Sequence, residues 1–219
     1  CLTLPQNHPL SRGRPPEGLQ LEMFDLVDSR LDEIGLKKYE ISNYAQPGKE
    51  SQHNCLYWTH QPYWGIGISA HSYLPPLQSF SPLNEDQGIR FWNYNHMQKY
   101  LNQMNQMEPT GLEKRDLQSF SSLQIERLKL HEALTDFCHT SLRMKSGLNE
   151  TDLKIRFGPA LSKKVMVILN QLIQTEMLKK TAKGWNLTHK GERMSNQIFL
   201  SLTFDQDEIN DALTKFPDV

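Results

Sequence analysis

Residues 39–73 read YEISNYAQPGKESQHNCLYWTHQPYWGIGISAHSY, and this stretch decides both the fold and the function that the sequence predicts. It begins inside residues 38–42, whose alternating polar and apolar side chains are typical of a short strand. A helical pattern precedes the strand and ends at Gly35, where a glycine can take the left-handed conformation that stops a helix. A helix, a glycine and a strand in this order predict an α/β unit.

Two further segments complete this region. Residues 44–62 are interrupted by prolines and a glycine and predict a long loop, and residues 63–68 predict a second strand. Long loops in compact domains are usually functional or disordered, and the histidine, tyrosine and tryptophan in this one argue against disorder. We therefore expect a site in this part of the chain.

The pattern changes beyond residue 108. Pro109 and Gly111 mark a predicted domain boundary. Ser121 and Gln124 form a predicted capping box at the start of a helix that continues to about residue 137. The next predicted elements are helices at 149–157 and 162–176, a hairpin at 178–188 and a helix around 194–199. This order is typical of a winged-helix domain, and the predicted units are residues 1–108, 109–204 and a tail at 205–219.

Charge and cysteine content narrow the class of protein. The chain has 219 residues and a formal net charge of −1, so it has no global basic surface for nucleic acid, and no apolar run approaches the length of a membrane span. Its three cysteines, Cys1, Cys55 and Cys138, are far apart and odd in number. They argue against a disulfide framework or a cysteine-based metal cluster and favour the reducing cytoplasm. Because the sequence begins with cysteine, we expect it to be part of a longer protein.

Three histidines lie among the aromatic residues of the first predicted unit. A packed core explains aromatic residues by themselves, but the alternation with His53, His60 and His71 favours a binding site. The imidazole of His53 can ligate iron, and flat aromatic neighbours suit a porphyrin, although a single histidine is more often structural. A metal site made by all three histidines is a further alternative, but their spacing matches no familiar zinc pattern.

Gly65-Ile66-Gly67 and Glu40 leave alternatives open. The two glycines permit close approach of a ligand to the backbone, or only a tight bend, and they lack the third glycine of a dinucleotide fingerprint. Glu40 faces solvent in an ordinary strand, or a ligand if it ends a parallel strand of a barrel.

Several lysines in the second predicted unit are candidates for nucleic-acid contacts. Lys163 and Lys164 lie near the start of a predicted helix, and Lys179, Lys180 and Lys183 lie in the hairpin. Arginine, the usual base-reading residue, is absent from both segments, so a solvated surface is the favoured interpretation.

Several motifs follow one another in close succession along this chain. They are Tyr39-Glu40-Ile41-Ser42-Asn43-Tyr44-Ala45, Pro47-Gly48, Ser51-x-His53-Asn54-x-x-Tyr57-Trp58, Tyr63-x-Gly65-Ile66-Gly67-x-Ser69-Ala70-His71-Ser72, Arg90-Phe91-Trp92-Asn93 and Leu187-Thr188-x-x-Gly191. Together they resemble the HemW branch of the radical-SAM family, relatives of the oxygen-independent coproporphyrinogen III oxidases. The resemblance covers nearly the whole chain.

The resemblance implies an α/β fold, namely the last strands and helices of a partial radical-SAM barrel of the TIM type, followed by a small, mainly helical winged-helix-like domain. In that family an N-terminal CxxxCxxC loop holds a [4Fe–4S] cluster and a glycine-rich stretch binds S-adenosylmethionine, and neither is present here. The chain is thus similar to the C-terminal portion of a HemW-like protein, with the cluster ligands outside it.

The His-Asn-x-x-Tyr-Trp motif implies haem, because HemW-like proteins bind haem through it and the decarboxylating oxidases lack it. The implied haem-binding residues are His53, as ligand of the iron, Asn54, Tyr57 and Trp58. The implied cofactor-binding residues are Glu40, Ile41, Ser42, Asn43, Gly65, Gly67, Ser69, Ala70 and His71. Cys55 stands at a variable position of the motif and is not assigned as a ligand.

The sequence therefore predicts the haem-binding fragment of a haem chaperone that delivers haem to acceptor proteins. The fragment alone is not expected to be an enzyme. Alternatives are a fragment of a coproporphyrinogen III oxidase-like enzyme and a winged-helix nucleic-acid-binding module. The expected partners are haem and haem-accepting proteins, with peripheral membrane contact and self-association as further expectations and no nucleic acid. Self-association is expected because a barrel cut through its middle exposes sheet edges and the apolar residues of 63–68.

Overall fold

The computed structural model describes residues 13, 15–76, 87–106 and 124–215, which form an α/β fold with three small antiparallel sheets. The predicted boundary at Pro109 and Gly111 lies outside the described residues. No helix in the described ranges is long and apolar enough to span a bilayer. The elements are α1 (Glu17–Glu33), β1 (Lys37–Glu40), β2 (Asn43–Ala45), α2 (Gln52–Trp58), β3 (His71–Leu74), β4 (Ile89–Trp92), α3 (Met97–Gln106), β5 (Gln124–Arg127), α4 (Leu130–Arg143), β6 (Leu148–Asn149), α5 (Glu150–Gln174), β7 (Leu178–Lys180), β8 (Gly184–Leu187), α6 (His189–Arg193), α7 (Ser195–Ser201) and α8 (Gln206–Lys215).

Helix α1 and strand β1 confirm the predicted order of helix, glycine and strand. The helix ends just before Gly35, whose φ of +79° is the left-handed conformation that a glycine adopts without a Cβ clash. Strand β1 then pairs antiparallel with β2 and places Lys37 opposite Ala45. No residue of α1 is buried, and Met23 and Leu26 are 52% and 58% exposed. The apolar stripe of this helix is therefore largely uncovered in this chain.

The second sheet contains β3, β4 and β5 in that order, and it contradicts one predicted helix. Gln124 opens strand β5, so the prediction of a helix beginning near that residue is wrong. The pairing of β5 with β4 places Ile125 opposite the buried Phe91, and this sheet contact outweighs the local helical pattern. Helix α4 begins later, where the Lys129 backbone N–H donates to the Glu132 carboxylate at 2.8 Å.

The third sheet and α5 follow the predicted order of the second unit. Gly158, with a φ of +71°, and Pro159 divide α5 into two arms that correspond to the two predicted helices. Strands β7 and β8 form the predicted hairpin, and β8 lies between β6 and β7. Helix α8 lies within the predicted tail and buries Ile209 and Ala212.

The main hydrophobic core lies in the second half of the chain. Leu134, Phe157 and Leu169 are fully buried there, and Tyr73 of β3 and Ile41 after β1 pack into or against the same cluster. Truncation of a fully buried leucine typically costs about 2–5 kcal/mol. The second half of the chain therefore fixes the positions of the strands that surround the site.

Candidate functional site

Residues 52–58 form helix α2 rather than part of the predicted long loop, so the loop prediction is wrong here. Ser51 caps the helix, because its hydroxyl accepts a hydrogen bond from the Asn54 backbone N–H at 3.3 Å. The prolines and the glycine that favoured a loop lie before the cap or after the last turn. The helix places His53 and Tyr57 one turn apart on the same face.

His53 is exposed, and Tyr57 orients it. The Tyr57 hydroxyl lies 3.0 Å from Nε2 of His53, and the two rings meet edge to face with centroids 4.9 Å apart. Tyr57 in turn packs against Tyr63, with 4.3 Å between the ring centroids. The imidazole is therefore held by an aromatic cluster while it remains accessible from solvent.

Trp58, the last residue of α2, is anchored to α4 through Arg143. The Arg143 guanidinium lies 4.4 Å from the centre of the Trp58 ring, and its Nη2 donates to Oε2 of Glu40 at 3.2 Å. Glu40 is fully buried, and the Asn43 amide donates to its other oxygen. The expectation that Glu40 faces solvent is therefore wrong, since this carboxylate joins β1 to the end of α4. Sequence reasoning missed Arg143, because an arginine in the last turn of a helix is ordinary.

Cys55 lies within the motif but is poorly suited to bind iron. It is half-buried. Burial, and then the carboxylates of Glu50 and Glu40, raise the pKa of its thiol. Because the thiolate is the form that binds metals, a raised pKa disfavours Cys55 as a ligand near neutral pH.

The loop at residues 65–70 is held by the buried side chain of Asn93. Its amide donates to the carbonyl oxygens of Gly65 at 3.1 Å and Gly67 at 2.9 Å. A Cβ at Gly65 would lie 2.2 Å from the carbonyl oxygen of His71, which explains why a glycine stands there. Because Asn93 satisfies these carbonyl groups, the predicted strand at 63–68 is reduced to one bridge between Tyr63 and Tyr73, and the strand prediction is wrong.

The remaining predicted residues of this loop lie near its surface. Ser69 has a φ of +57° and is exposed, and Ala70 accepts a backbone hydrogen bond from Asn93 at 3.0 Å. His71 is also exposed, and its ring stacks on Trp92 with centroids 5.6 Å apart. Ile66 is 86% exposed, so the loop presents an apolar tip to solvent.

The alternative of a three-histidine metal site is wrong. His53 contacts a tyrosine, His60 stacks on a phenylalanine and His71 stacks on a tryptophan. Among the residues that the structure describes, no group of three or more histidine, cysteine or acidic side chains is arranged to hold a metal ion.

A cavity of about 180 Å³ lies behind α2. Tyr57 and Trp58 line its side nearest the motif, and Arg90, Asp136 and Arg156 contribute charged groups to the rest of its wall. Arg90 belongs to the flanking motif of the sequence. Asp136 and Arg156, which lie on α4 and α5, belong to none of the sequence motifs.

His60 closes this cavity as a neutral imidazole. Its Nε2 lies 2.6 Å from the Thr140 hydroxyl, and its ring stacks on Phe137 at 5.5 Å between centroids. Burial, followed by the positive charges of Arg156 and Arg90, lowers the pKa of His60 to about 3.

We expect the free energy of unfolding to fall between pH 7 and pH 5 because of His60. The unfolded chain binds a proton at this residue near the ordinary pKa of 6.5, whereas the folded chain does so only near a pKa of about 3. The contribution is therefore complete above the unfolded pKa and is lost progressively below it, by about 2 kcal/mol at pH 5. Denaturant unfolding at the two pH values measures this loss.

The variant His60→Asn should remove the part of the pH dependence that comes from His60, while His139, whose pKa burial also lowers, keeps its own part. Asparagine tolerates the left-handed φ of +54° at this position and does not titrate. His131→Asn, on the exposed surface of α4, controls for the removal of a histidine as such. An undiminished pH dependence in His60→Asn would show that another group is responsible.

A second cavity of about 270 Å³ lies between α1, the first sheet and α6. Ile41 and Ser42 line it, whereas the loop at 65–71 does not, so the structure separates these two parts of the predicted cofactor-binding set. Lys38 lies in its wall, 2.8 Å from Asp28 and 3.3 Å from Glu192. Burial acts to raise the pKa of Asp28, but hydrogen bonds from Lys38 and a tyrosine outweigh it, and the pKa is lowered. Lys38 is therefore paired with two carboxylates of this wall.

Comparison with known proteins extends what the motifs indicate. No family model matches the sequence. The protein named heme chaperone HemW of Bacillus subtilis is 25% identical over 87% of this chain and 45% of the relative. The HemW of Lactococcus lactis subsp. lactis is 28% identical over 87% of this chain and 44% of the relative. The predicted resemblance to HemW proteins is confirmed. The chain spans somewhat less than half the length of these HemW relatives.

A solved structure shows the same type of fold. Coproporphyrinogen III oxidase (HemN) from Escherichia coli, described as a radical SAM enzyme, matches with a TM-score of 0.55 over 86% of this chain and 42% of HemN. The sequence identity is 14%, so this likeness concerns the fold alone. The chain has an α/β fold that resembles HemN, and its sequence is similar to HemW.

Proposed function

We propose that this chain is the haem-binding part of a HemW-like haem chaperone, with His53 as the axial ligand of the iron. The observation that supports this most strongly is the exposed imidazole of His53, oriented on α2 by the Tyr57 hydroxyl at 3.0 Å. Histidines that bind metals generally use one ring nitrogen for the metal and hydrogen bond through the other, which fixes the tautomer. The contact with Tyr57 engages Nε2, so Nδ1 is the ring nitrogen left for the iron.

The surroundings of His53 fit haem as a cargo. Tyr57 and Tyr63 supply aromatic rings for the macrocycle, and haem supplies an iron that accepts an imidazole nitrogen as axial ligand. A chaperone must also release haem to an acceptor protein. An exposed ligand on a short surface helix suits such a transfer better than a buried haem pocket does.

The other motif residues hold α2 in place. Trp58 is fixed by the Arg143 guanidinium, and Asn54 by its backbone hydrogen bond to the Ser51 cap. We assign Asn54 and Trp58 to the support of the helix and Tyr57 to the orientation of His53.

The radical-SAM cofactors belong, in this proposal, to the longer protein. HemN is a radical SAM enzyme, and the three separated cysteines of this chain cannot supply a CxxxCxxC loop. We propose that S-adenosylmethionine and the [4Fe–4S] cluster lie beside residues of this chain in the intact protein. The residues proposed to border them lie in two places, namely Glu40, Ile41, Ser42 and Asn43 at the first sheet and Gly65, Gly67, Ser69, Ala70 and His71 in the loop at 65–71. The free thiols of Cys55 and Cys138 agree with the proposed cytoplasmic location.

We further propose the domain division that the motifs imply, with a partial barrel in residues 1–108 and a winged-helix-like domain in residues 109–204. The sheet order β6-β8-β7, preceded by α4 and connected through the two arms of α5, supports the second domain. Lys164 pairs with Glu208 at 3.3 Å and Lys180 with Glu150 at 2.5 Å. These ion pairs support a role in packing rather than in nucleic-acid binding.

A coproporphyrinogen III oxidase-like activity of the longer protein is the second candidate, and the fold likeness to HemN is compatible with it. Decarboxylation of coproporphyrinogen III by the full-length protein would support this candidate. The His-Asn-x-x-Tyr-Trp helix, which the resemblance associates with haem binding, favours the chaperone instead.

Titration of this chain with haemin tests the proposal. We expect a shifted Soret band that saturates at one haem per chain, because the proposal assigns one histidine, His53, to the iron. An absorption spectrum that matches free haemin throughout the titration would contradict haem binding by this chain.

A further inference from the structure

The cavity behind α2 is too small for a whole porphyrin. Its volume is about 180 Å³, whereas sites that enclose an entire organic ligand are usually about 300–1,000 Å³. It is therefore suited to one arm of a larger ligand. Tyr57 connects it to the motif, because this side chain lines the cavity and also contacts His53 through its hydroxyl.

The charges in the cavity wall leave one positive group unbalanced. Arg90 pairs with Asp136 and lies 3.6 Å from Glu126. Arg156 instead donates from Nη2 to the Tyr73 hydroxyl at 3.0 Å and lies over the rings of two phenylalanines. Among the described residues, no carboxylate lies within ion-pair distance of Arg156. Of the charged groups that line the wall, Arg156 is thus the one without an ion-pair partner among the described residues.

The remaining polar groups do not cancel this charge. His60 is engaged with the Thr140 hydroxyl at 2.6 Å and is neutral. Tyr73 can accept a hydrogen bond from Arg156 and still donate its own proton to a second acceptor. Arg156 and Tyr73 therefore form a donor pair in a partly apolar cavity, where a charge-assisted hydrogen bond is strong.

We propose that this cavity binds a carboxylate arm of the tetrapyrrole whose iron His53 holds, through Arg156 and Tyr73. The inference rests on the proposed function and extends it to the propionate side chain. Tyr57 links the two places, because its hydroxyl contacts His53 and its side chain lines the cavity. The guanidinium fork matches a carboxylate, and the cavity size excludes the macrocycle itself.

Metal-free protoporphyrin IX and its dimethyl ester provide the test, because neither needs His53 as a ligand. Fluorescence titrations of this chain should give an affinity for the diacid that is roughly tenfold or more above that for the ester, as expected for a charge-assisted contact in a desolvated site. Both titrations use the same mixed solvent. Equal affinities for the diacid and the ester would overturn the inference.

The variant Arg156→Gln should abolish the preference for the diacid while Arg30→Gln, on the exposed side of α1, retains it. Tyr73→Phe keeps the buried ring and removes only the hydroxyl, so a reduced preference in this variant supports the assignment even if Arg156→Gln fails to fold. A full preference in a folded Arg156→Gln protein would overturn the proposal. Haemin binding that depends on His53 alongside equal diacid and ester affinities would refute the cavity assignment and leave the proposed function intact. Haemin binding that does not depend on His53, together with a clear preference for the diacid, would refute the proposed function alone.

Discussion

Replacement of Arg143 by methionine should lower the free energy of unfolding by about 3 kcal/mol. The variant leaves the Glu40 carboxylate fully buried, with the Asn43 amide as its remaining side-chain partner in the part of the chain that the structure describes. Removing one member of a buried ion pair typically costs about 3–5 kcal/mol of stability. We expect a loss at the lower end of this range, because the Arg143 side chain is 27% exposed to solvent. Urea unfolding at neutral pH measures the change.

A matched double variant separates the charge from the packing. Glu40→Gln with Arg143→Met removes both charges, and it should recover a large part of the lost stability, because no unpaired carboxylate remains. Arg30→Met, in an exposed ion pair on α1, should change stability by no more than about 0.5 kcal/mol. A loss below about 1 kcal/mol in Arg143→Met would contradict the proposed role of the Glu40–Arg143 pair.

The variant His53→Ala should weaken haem binding by at least about 100-fold. Loss of a side chain that only supports a metal ligand typically costs about 10–100-fold in affinity, so loss of the ligand itself should cost more. His53 lies on the exposed face of α2 and does not belong to the hydrophobic core, so the variant should keep its fold. Haemin titrations followed at the Soret band measure the affinity.

His96→Ala is the matched control for this experiment. His96 is also exposed and precedes helix α3, outside the motif. Its removal should leave the haem affinity within about twofold of that of the unaltered chain, because nonspecific surface coordination is its only expected role. Equal losses in the two variants would mean that haem binds histidines on this surface without selectivity.

The sequence predicted elements whose signals are local. Gly35 ends α1 as expected, and the hairpin of β7 and β8 turns where Lys183 and Gly184 indicate. Helix α2 was not predicted, because seven residues are too few for a clear periodic pattern and its cap, Ser51, lies within the predicted loop. Strand β5 escaped because its pairing partner, β4, lies far away in the sequence.

The candidate site was predictable only where a motif carried it. His53 and Tyr57 stand four residues apart, and a helix brings residues at this spacing to the same face. Asn93 belongs to a flanking motif, but it holds the loop at 65–70 through a hydrogen bond to Gly65, which lies 28 residues earlier in the sequence. Arg143 and Arg156 gave no signal, because their roles come from tertiary contacts with Trp58 and Tyr73.

Rescue of His53→Gly by free imidazole tests the central claim most directly. If His53 is the axial ligand, the variant should bind haemin weakly, and added imidazole should restore both the Soret maximum and much of the affinity of the unaltered chain. His96→Gly provides the control, with no rescue to observe. A His53→Gly variant that binds haemin with unchanged affinity and an unchanged spectrum before any imidazole is added would contradict the assignment of His53 as the haem ligand.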